Sequence, residues 1–236
     1  MFAYQLAFAH ALPGVRQGQA WPGLLSPREE QLLAGLSFSP RRRKWLLGRA
    51  AAKALFARLS ATRDIPAGEI SVLNDPSGAP YALMGESRWP FCLSLSHRSE
   101  VGLAVAATEV GIALGADVET IEPRDPALPR QFFTARELAW ARDDQRVALV
   151  WSAKEAVLKL LGVGLRLDTR KIEISQPEEG GSEMDGWAPL GVAIASEVGW
   201  DREIQLVWRV EAGHVITVAW GSQVEQLQAD PFVFVR

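Results

Sequence analysis

A helical period runs through WSAKEAVLKLLG, Trp151 to Gly162. At about 100° per residue, Trp151, Val157, Leu158, Leu160 and Leu161 sweep out one side of that helix, and Lys154 lies inside the same arc, between Leu158 and Leu161. Glu155 and Lys159 are four apart and sit together just past the Trp151 edge. Upstream, Ser26, Pro27, Glu29 and Glu30 form a helix start leading to Leu36, and a second Ser-Pro opening at Ser39 leads into an Ala/Leu-rich helix reaching Leu59. NDPSGAP, Asn74 to Pro80, is dense in turn residues. The runs FCLSLSH, VGLAVAAT and VGIALGADVETI then predict strands. After the proline-rich connector Glu122 to Pro129, QFFTARELAWARDD predicts a helix, followed by the helix at Trp151. KIEIS, GVAIASEV, IQLVWRV and HVITVAWG predict the strands of an antiparallel meander.

Helices and strands thus recur in a similar order in both parts of the chain. That pattern predicts an α+β fold of two similar halves, 1–108 and 109–236, with a ligand cleft where they meet. Composition narrows the function classes. A net charge of −3 disfavours a generic nucleic-acid binder or a polybasic membrane anchor, so any bound anion must be held by a local cluster of cations. The single cysteine, Cys92, excludes an intramolecular disulfide and a paired-cysteine metal site. His10, His97 and His214 are too widely separated to suggest a zinc site. The N-terminal run MFAYQLAFAHALPG lacks a basic leader and reads as a first strand rather than a signal peptide. No run reaches the roughly 18 apolar residues of a membrane span, and a cytoplasmic protein is the expectation.

Three stretches carry candidate chemistry. In IALGADVETI, alternation puts Ile112, Leu114, Ala116 and Val118 on one face and Ala113, Gly115, Asp117 and Glu119 on the other. Two carboxylates at i and i+2 repel unless they are solvated or bridged by a cation. Oxygen ligands of this kind suit Mg²⁺, and a strand end emerging into water is the alternative. In the Trp151 helix, Glu155 and Lys159 are either a surface ion pair or part of an anion site. Lys154 either snorkels out of the apolar arc or reaches a phosphate. Arg41, Arg42, Arg43 and Lys44 crowd the start of the Ser39 helix, where the helix dipole prefers acids, and Arg42, Arg49 and Lys53 share one face of it. His97 ends a strand after Ser94 and Ser96, is expected to share their face, and could donate to a phosphate there.

The sequence order of these elements is more specific than any one of them. An Arg-rich helix containing Gly48-Arg49, then SLSH, then Gly115-Ala-Asp-Val-Glu119, then Trp151-Ser-Ala-Lys-Glu-Ala-Val-Leu-Lys159 resembles the two-domain, surfactin-synthetase-activating type of 4′-phosphopantetheinyl transferase, from about Arg41 to Leu167. PRRRKWLLGRAAAKAL and RWPFCLSLSH look closest to the branch that serves siderophore synthesis. The resemblance implies two halves related by a pseudo-twofold, with coenzyme A bound between them. It also implies transfer of 4′-phosphopantetheine to a serine of an apo acyl or peptidyl carrier protein, with release of adenosine 3′,5′-bisphosphate. Asp117, Glu119 and Glu155 would then hold Mg²⁺ (or Mn²⁺), and Glu155 or a water it orients would be the base. Lys159 would stabilise the leaving phosphate. His97 and Ser96, with Arg42 and Arg49, would meet the 3′-phosphate, while Lys154 is assigned to the coenzyme or to packing. A monomer is implied, the pseudo-dimer being built into the chain. One departure stands out: many relatives carry a basic residue just before or within the G-x-P turn, where this chain reads LNDPSGAPYAL, and that contact is either missing or supplied by another residue such as Arg88. Another Mg²⁺-dependent phosphotransferase lacks the support of a Gly-rich phosphate loop. A non-catalytic coenzyme A or carrier-binding module is disfavoured because Asp117, Glu119, Glu155 and Lys159 are all present.

Overall fold

The structure is a computed structural model that describes residues 2–37, 39–59, 62, 64–177 and 185–222. The chain starts with β1 (Phe2–Phe8), followed by α1 (Pro27–Ala34) and the long α2 (Ser39–Arg58). Next come β2 (Ile70–Asn74), β3 (Pro80–Met84), β4 (Ser87–Arg88), β5 (Leu93–Arg98) and β6 (Val101–Ala107). The order then repeats in outline: β7 (Ile112–Thr120), the short α3 (Ala127–Phe132) and α4 (Ala135–Trp140), and the long α5 (Asp144–Leu161). It ends with β8 (Ile172–Ile174), β9 (Ala188–Pro189), β10 (Val192–Ile194), β11 (Gln205–Glu211) and β12 (His214–Ser222). This is a mixed helix–strand architecture with several small sheets.

Sheet orders among the described residues are β1-β6-β5, β2-β3-β4, β7-β12-β11-β9 and β10-β8. The meander expected of the last four predicted strands is therefore split, because β8 and β10 pair with each other while β11 and β12 join β7. QFFTARELAWARDD is likewise not one helix. Thr134 accepts the backbone N–H of Glu137 and starts a new helix at Ala135, so the backbone breaks at Phe133 and Thr134. The expected Ser26 start is present as a full capping box with Glu29.

The apolar alternation of β7 is realised: Leu114, Ala116 and Val118 are buried against Leu6, Leu103 and Val105 of β1 and β6, and against Ile216 and Val218 of β12. Each long helix lies on its sheet at a glycine. A Cβ on Gly102 of β6 would stand 2.5 Å from the Leu47 carbonyl oxygen of α2, and one on Gly115 of β7 would stand 2.0 Å from the Ala156 carbonyl oxygen of α5. Only glycine permits that approach.

Two buried lysine–glutamate clusters tie each long helix to its neighbours in matching ways. In the first, Lys53 of α2 donates to Glu29 Oε2 at 2.8 Å and to the carbonyls of Ala67 and Ile70. Glu29 closes the cap of α1 by accepting from Ser26 N, and its other oxygen accepts from Val72 N. In the second, Lys154 of α5 lies 2.9 Å from Glu137 Oε2 and donates to the carbonyls of Thr169 and Ile172. Glu137 caps α4 through Thr134 N and accepts from Ile174 N with its other oxygen. Lys154 and Glu137 are both 0% exposed. An ammonium has three donors, and here all of them are matched, which is the condition for burying the charge.

Removing one partner leaves the other as an uncompensated buried charge. Lys154→Met is expected to lower unfolding free energy by about 3–5 kcal/mol, with Lys53→Met close behind, read by urea denaturation. A loss under about 1 kcal/mol, the range of an exposed pair, would contradict the structural role.

Candidate functional site

The site grows from the contact between β7 and α5. Because Gly115 brings the strand onto the helix backbone, the residue two further along the same face, Asp117, meets the last turns of α5. Lys159 donates to Asp117 Oδ1 at 2.8 Å and to the Ala116 carbonyl at 2.9 Å. Ser96 of β5 donates to the same Oδ1 at 2.6 Å. Asp117 Oδ2 is buried and has no hydrogen-bond partner among the described residues. A carboxylate 5% exposed with one oxygen doubly satisfied and the other orphaned is a costly arrangement that a bound cation would relieve.

Glu119 follows on the same face and is 7% exposed. Arg124 donates to its Oε2 at 2.6 Å, and Arg98 Nε approaches the same oxygen at 3.1 Å. Burial and then the Asp117 charge push the Glu119 carboxyl up from the ordinary carboxylate value, with Arg124 and Arg98 opposing. Glu155 on α5 is also raised, first by burial and then by Asp117, while Lys159 pulls it down and Glu119 raises it further. The three acids therefore feel one another. Lys159 bonds to Asp117 rather than forming the i,i+4 surface pair with Glu155 that spacing allowed.

Among the described residues, no group of three or more metal-ligating side chains is gathered closely enough to enclose an ion. The donor set nonetheless fits a hard divalent cation. It consists of oxygen atoms only, it carries mutually repelling buried carboxylates, and it presents the orphaned Asp117 Oδ2.

The other predicted residues divide. Ser94 and Ser96 are buried and share a face, Ser94 accepting from Ala116 N, but His97 is exposed on the opposite face, as strict alternation requires. His97 nevertheless belongs to the site's electrostatic neighbourhood. Desolvation by the surrounding protein lowers its pKa, Lys44 and Lys159 lower it further, and its own backbone hydrogen bond and Asp117 oppose them.

Lys154 is a correction: it does not border an anion site, because it is 0% exposed and its amine is saturated by Glu137 and two carbonyls. Arg42 is held by the carbonyls of Gly18, Leu33 and Leu36. Arg49, 5% exposed, lies 4.2 Å over the Trp45 ring and donates to Val72 O and Asn74 Oδ1. Burial lowers the Arg49 pKa to about 10. Neither arginine joins Asp117, Glu155 and Lys159. Arg88 stacks 4.5 Å over Tyr81 and lies within electrostatic range of Asp75 in the turn.

Sequence reasoning did not single out Arg98, Arg124 or Lys44 individually. Arg124 was visible as the cation five residues after Glu119, fixed between Pro123 and Pro126, and Lys44 as one member of the Arg41–Lys44 cluster.

Residues 113–219 match the model of the 4′-phosphopantetheinyl transferase superfamily. The match covers β7, α5 and β12, and with them Asp117, Glu119, Glu155 and Lys159. It begins after Ser96, His97 and the basic end of α2. No curated protein matches the chain.

The His97 neighbourhood gives a direct check. Its imidazole midpoint, followed by NMR, is expected below the ordinary value of about 6.5, and Lys44→Met is expected to move it upward by removing a repelling charge. An unchanged midpoint in that variant would separate Lys44 from the site.

Proposed function

We propose that this protein is a two-domain, surfactin-synthetase-activating type 4′-phosphopantetheinyl transferase, of the branch that serves siderophore synthesis. It transfers the 4′-phosphopantetheine group of coenzyme A to a serine of an apo acyl or peptidyl carrier protein. Holo carrier and adenosine 3′,5′-bisphosphate are the products. The observation that carries this reading is the orphaned Asp117 Oδ2 beside the Asp117–Lys159 pair, inside the segment that matches the superfamily model. The repeated element order and the paired Lys53–Glu29 and Lys154–Glu137 clusters support two halves, 1–108 and 109–236, related by a pseudo-twofold with the coenzyme between them. The chain works as a monomer in the cytoplasm. No helix among the described residues is long and apolar enough to cross a membrane.

Asp117, Glu119 and Glu155 would hold Mg²⁺ or Mn²⁺. Such an ion supplies charge neutralisation on the pyrophosphate oxygens. The chain's own residues do the rest. The carrier serine oxygen bonds to the β-phosphorus as the bridging P–O bond of the pyrophosphate breaks, and the serine proton passes to Glu155 or to a water it orients. Without the ion, burial and then the Asp117 charge raise the Glu155 pKa. Lys159 is partly exposed and already fixed by Asp117, so its ammonium is poised to meet negative charge on the leaving phosphate. Ser96 positions Asp117 through Oδ1. Lys44 supplies positive field for the 3′-phosphate and His97 a hydrogen-bond donor beside it, with Arg42 and Arg49 shaping that end of the site from behind.

The test is incubation with coenzyme A, Mg²⁺ and an apo carrier, followed by intact mass of the carrier. A gain of one phosphopantetheine is expected, and Asp117→Ala and Glu155→Ala are expected to abolish it while melting as folded proteins. No gain across several carriers would sink the reading; near-normal turnover in either variant would sink the metal assignment.

A further inference from the structure

The proposed mechanism gives Lys44 and His97 the 3′-phosphate without saying what holds them at one spacing. His97 of β5 pairs with Gly102 of β6, and cross-strand partners share a face of the sheet. That face lies on α2, since a Cβ on Gly102 would stand 2.5 Å from the Leu47 carbonyl oxygen. Leu95, two residues before His97 on the same face, would lie 3.8 Å from a Cβ on Gly48. Lys44 is one turn before Gly48 on the same side of α2, so His97 and Lys44 stand on facing elements. Both are near the ends of those elements: His97 is next to last in β5, and Lys44 lies in the second turn of α2.

Beyond them a carboxylate ties the ends together. Ser99 and Glu100 are the two residues that connect β5 to β6, and Ser99 has φ +48°, a left-handed backbone that residues other than glycine rarely adopt. The Glu100 carbonyl accepts from Ala9 N at 2.8 Å. Its side chain divides its two oxygens between two arginines: Oε1 lies 3.1 Å from Arg43 Nη1, and Oε2 accepts from Arg16 Nε at 3.1 Å. Arg43 is the residue before Lys44 on α2, and Arg16 lies in the short turn Val15–Gln17 after β1. One carboxylate thus joins three segments, three residues from His97 and next to Lys44. Two guanidinium groups against one carboxylate leave this tip with an excess of positive charge, so an acid can stand beside an anion site.

We infer that Glu100 is a positioning residue for the 3′-phosphate end of the site, holding the β5–β6 tip against α2 so that His97 and Lys44 keep the spacing that receives the phosphate. This rests on the proposed reading of that end. Glu100 acts through its two arginines and touches neither the coenzyme nor the metal. Glu100 is 41% exposed and Arg43 33%, so either contact alone would be weak, and the effect comes from the pair acting on one hinge point.

The test is calorimetric titration of the full chain, with Mg²⁺ and no carrier, using coenzyme A and coenzyme A lacking its 3′-phosphate. The wild-type chain is expected to bind the complete coenzyme more tightly. Glu100→Gln is expected to weaken that binding on the order of fivefold while leaving the affinity for the truncated form unchanged. Glu100→Asp keeps the charge but is too short to reach both arginines, and it is expected to show most of the same loss. A merely structural glutamate would weaken both ligands alike. A glutamate acting only as a repelling charge would give tighter binding of the complete coenzyme when neutralised. Either of those results, or no change in either variant, overturns the inference; should Glu100→Gln fail to fold, the aspartate variant alone decides it. If the wild-type chain binds both forms equally, or neither, the reading of the 3′-phosphate end has itself failed, and the inference with it.

Discussion

The approach of β7 to the backbone of α5 at Gly115 is the constraint on which the site depends. A Cβ there would lie 2.0 Å from one backbone atom of the helix and 2.4 Å from another, so the strand sits as close as a chain can. With period two along the strand, Asp117 and Glu119 emerge on the same face just beyond the contact. With 3.6 residues per turn, Glu155 and Lys159 rise on the α5 edge that faces them. Neither pair would meet at an ordinary strand–helix separation. The Lys159–Asp117 pair and the mutual effects of Asp117, Glu119 and Glu155 follow from that geometry.

The rotation of α5 about its own axis is set by Lys154. Its amine binds the capping glutamate of α4 and the carbonyls at the entry to β8, all inside the protein. Once Lys154 points inward, the next residue, Glu155, is turned toward the edge of the core, and Lys159, one turn on, lies beside it. Lys53 docks α2 through Glu29 and the entry to β2 in the same way. A buried ion pair contributes little net stability compared with apolar packing, but it demands one geometry, and here that geometry orients the helix carrying Glu155 and Lys159.

Much of this was legible in the residues. The alternation Ala113, Gly115, Asp117, Glu119 predicted a strand with small residues followed by two acids on one face, and the structure has that face against α5. The Ser26–Glu29 capping box was readable because its Ser-Pro-x-Glu spacing is local. Lys154 was misjudged for a physical reason. Helical periodicity places a residue in an arc but does not say what lies opposite, and its partner Glu137 is contributed by another helix. The sign was present in TARE, a second capping box whose glutamate is positioned to receive a buried lysine. His97 was assigned to the serine face although it lies one and three positions beyond Ser96 and Ser94, and strict period two would have placed it opposite. Arg42 and Arg49 looked free because a basic helix face appears solvent-bound until the carbonyls and the Trp45 ring that cover it are known.

Charge at the site is balanced within the protein to an incomplete degree. Arg98, Arg124 and Lys159 answer Glu119 and Asp117, yet Asp117 Oδ2 stays unsatisfied and Glu155 is pushed toward neutrality. That residual demand for positive charge, next to Lys44, is the physical core of the claim that a divalent cation and a pyrophosphate meet here. The most direct measurement is the ³¹P NMR spectrum of coenzyme A bound to the protein as Mn²⁺ is added. The account predicts that the pyrophosphate lines broaden before and more strongly than the 3′-phosphate line, and that Asp117→Ala removes the difference. Equal broadening of all three phosphates in the wild-type protein, or an undiminished difference in the variant, would contradict it.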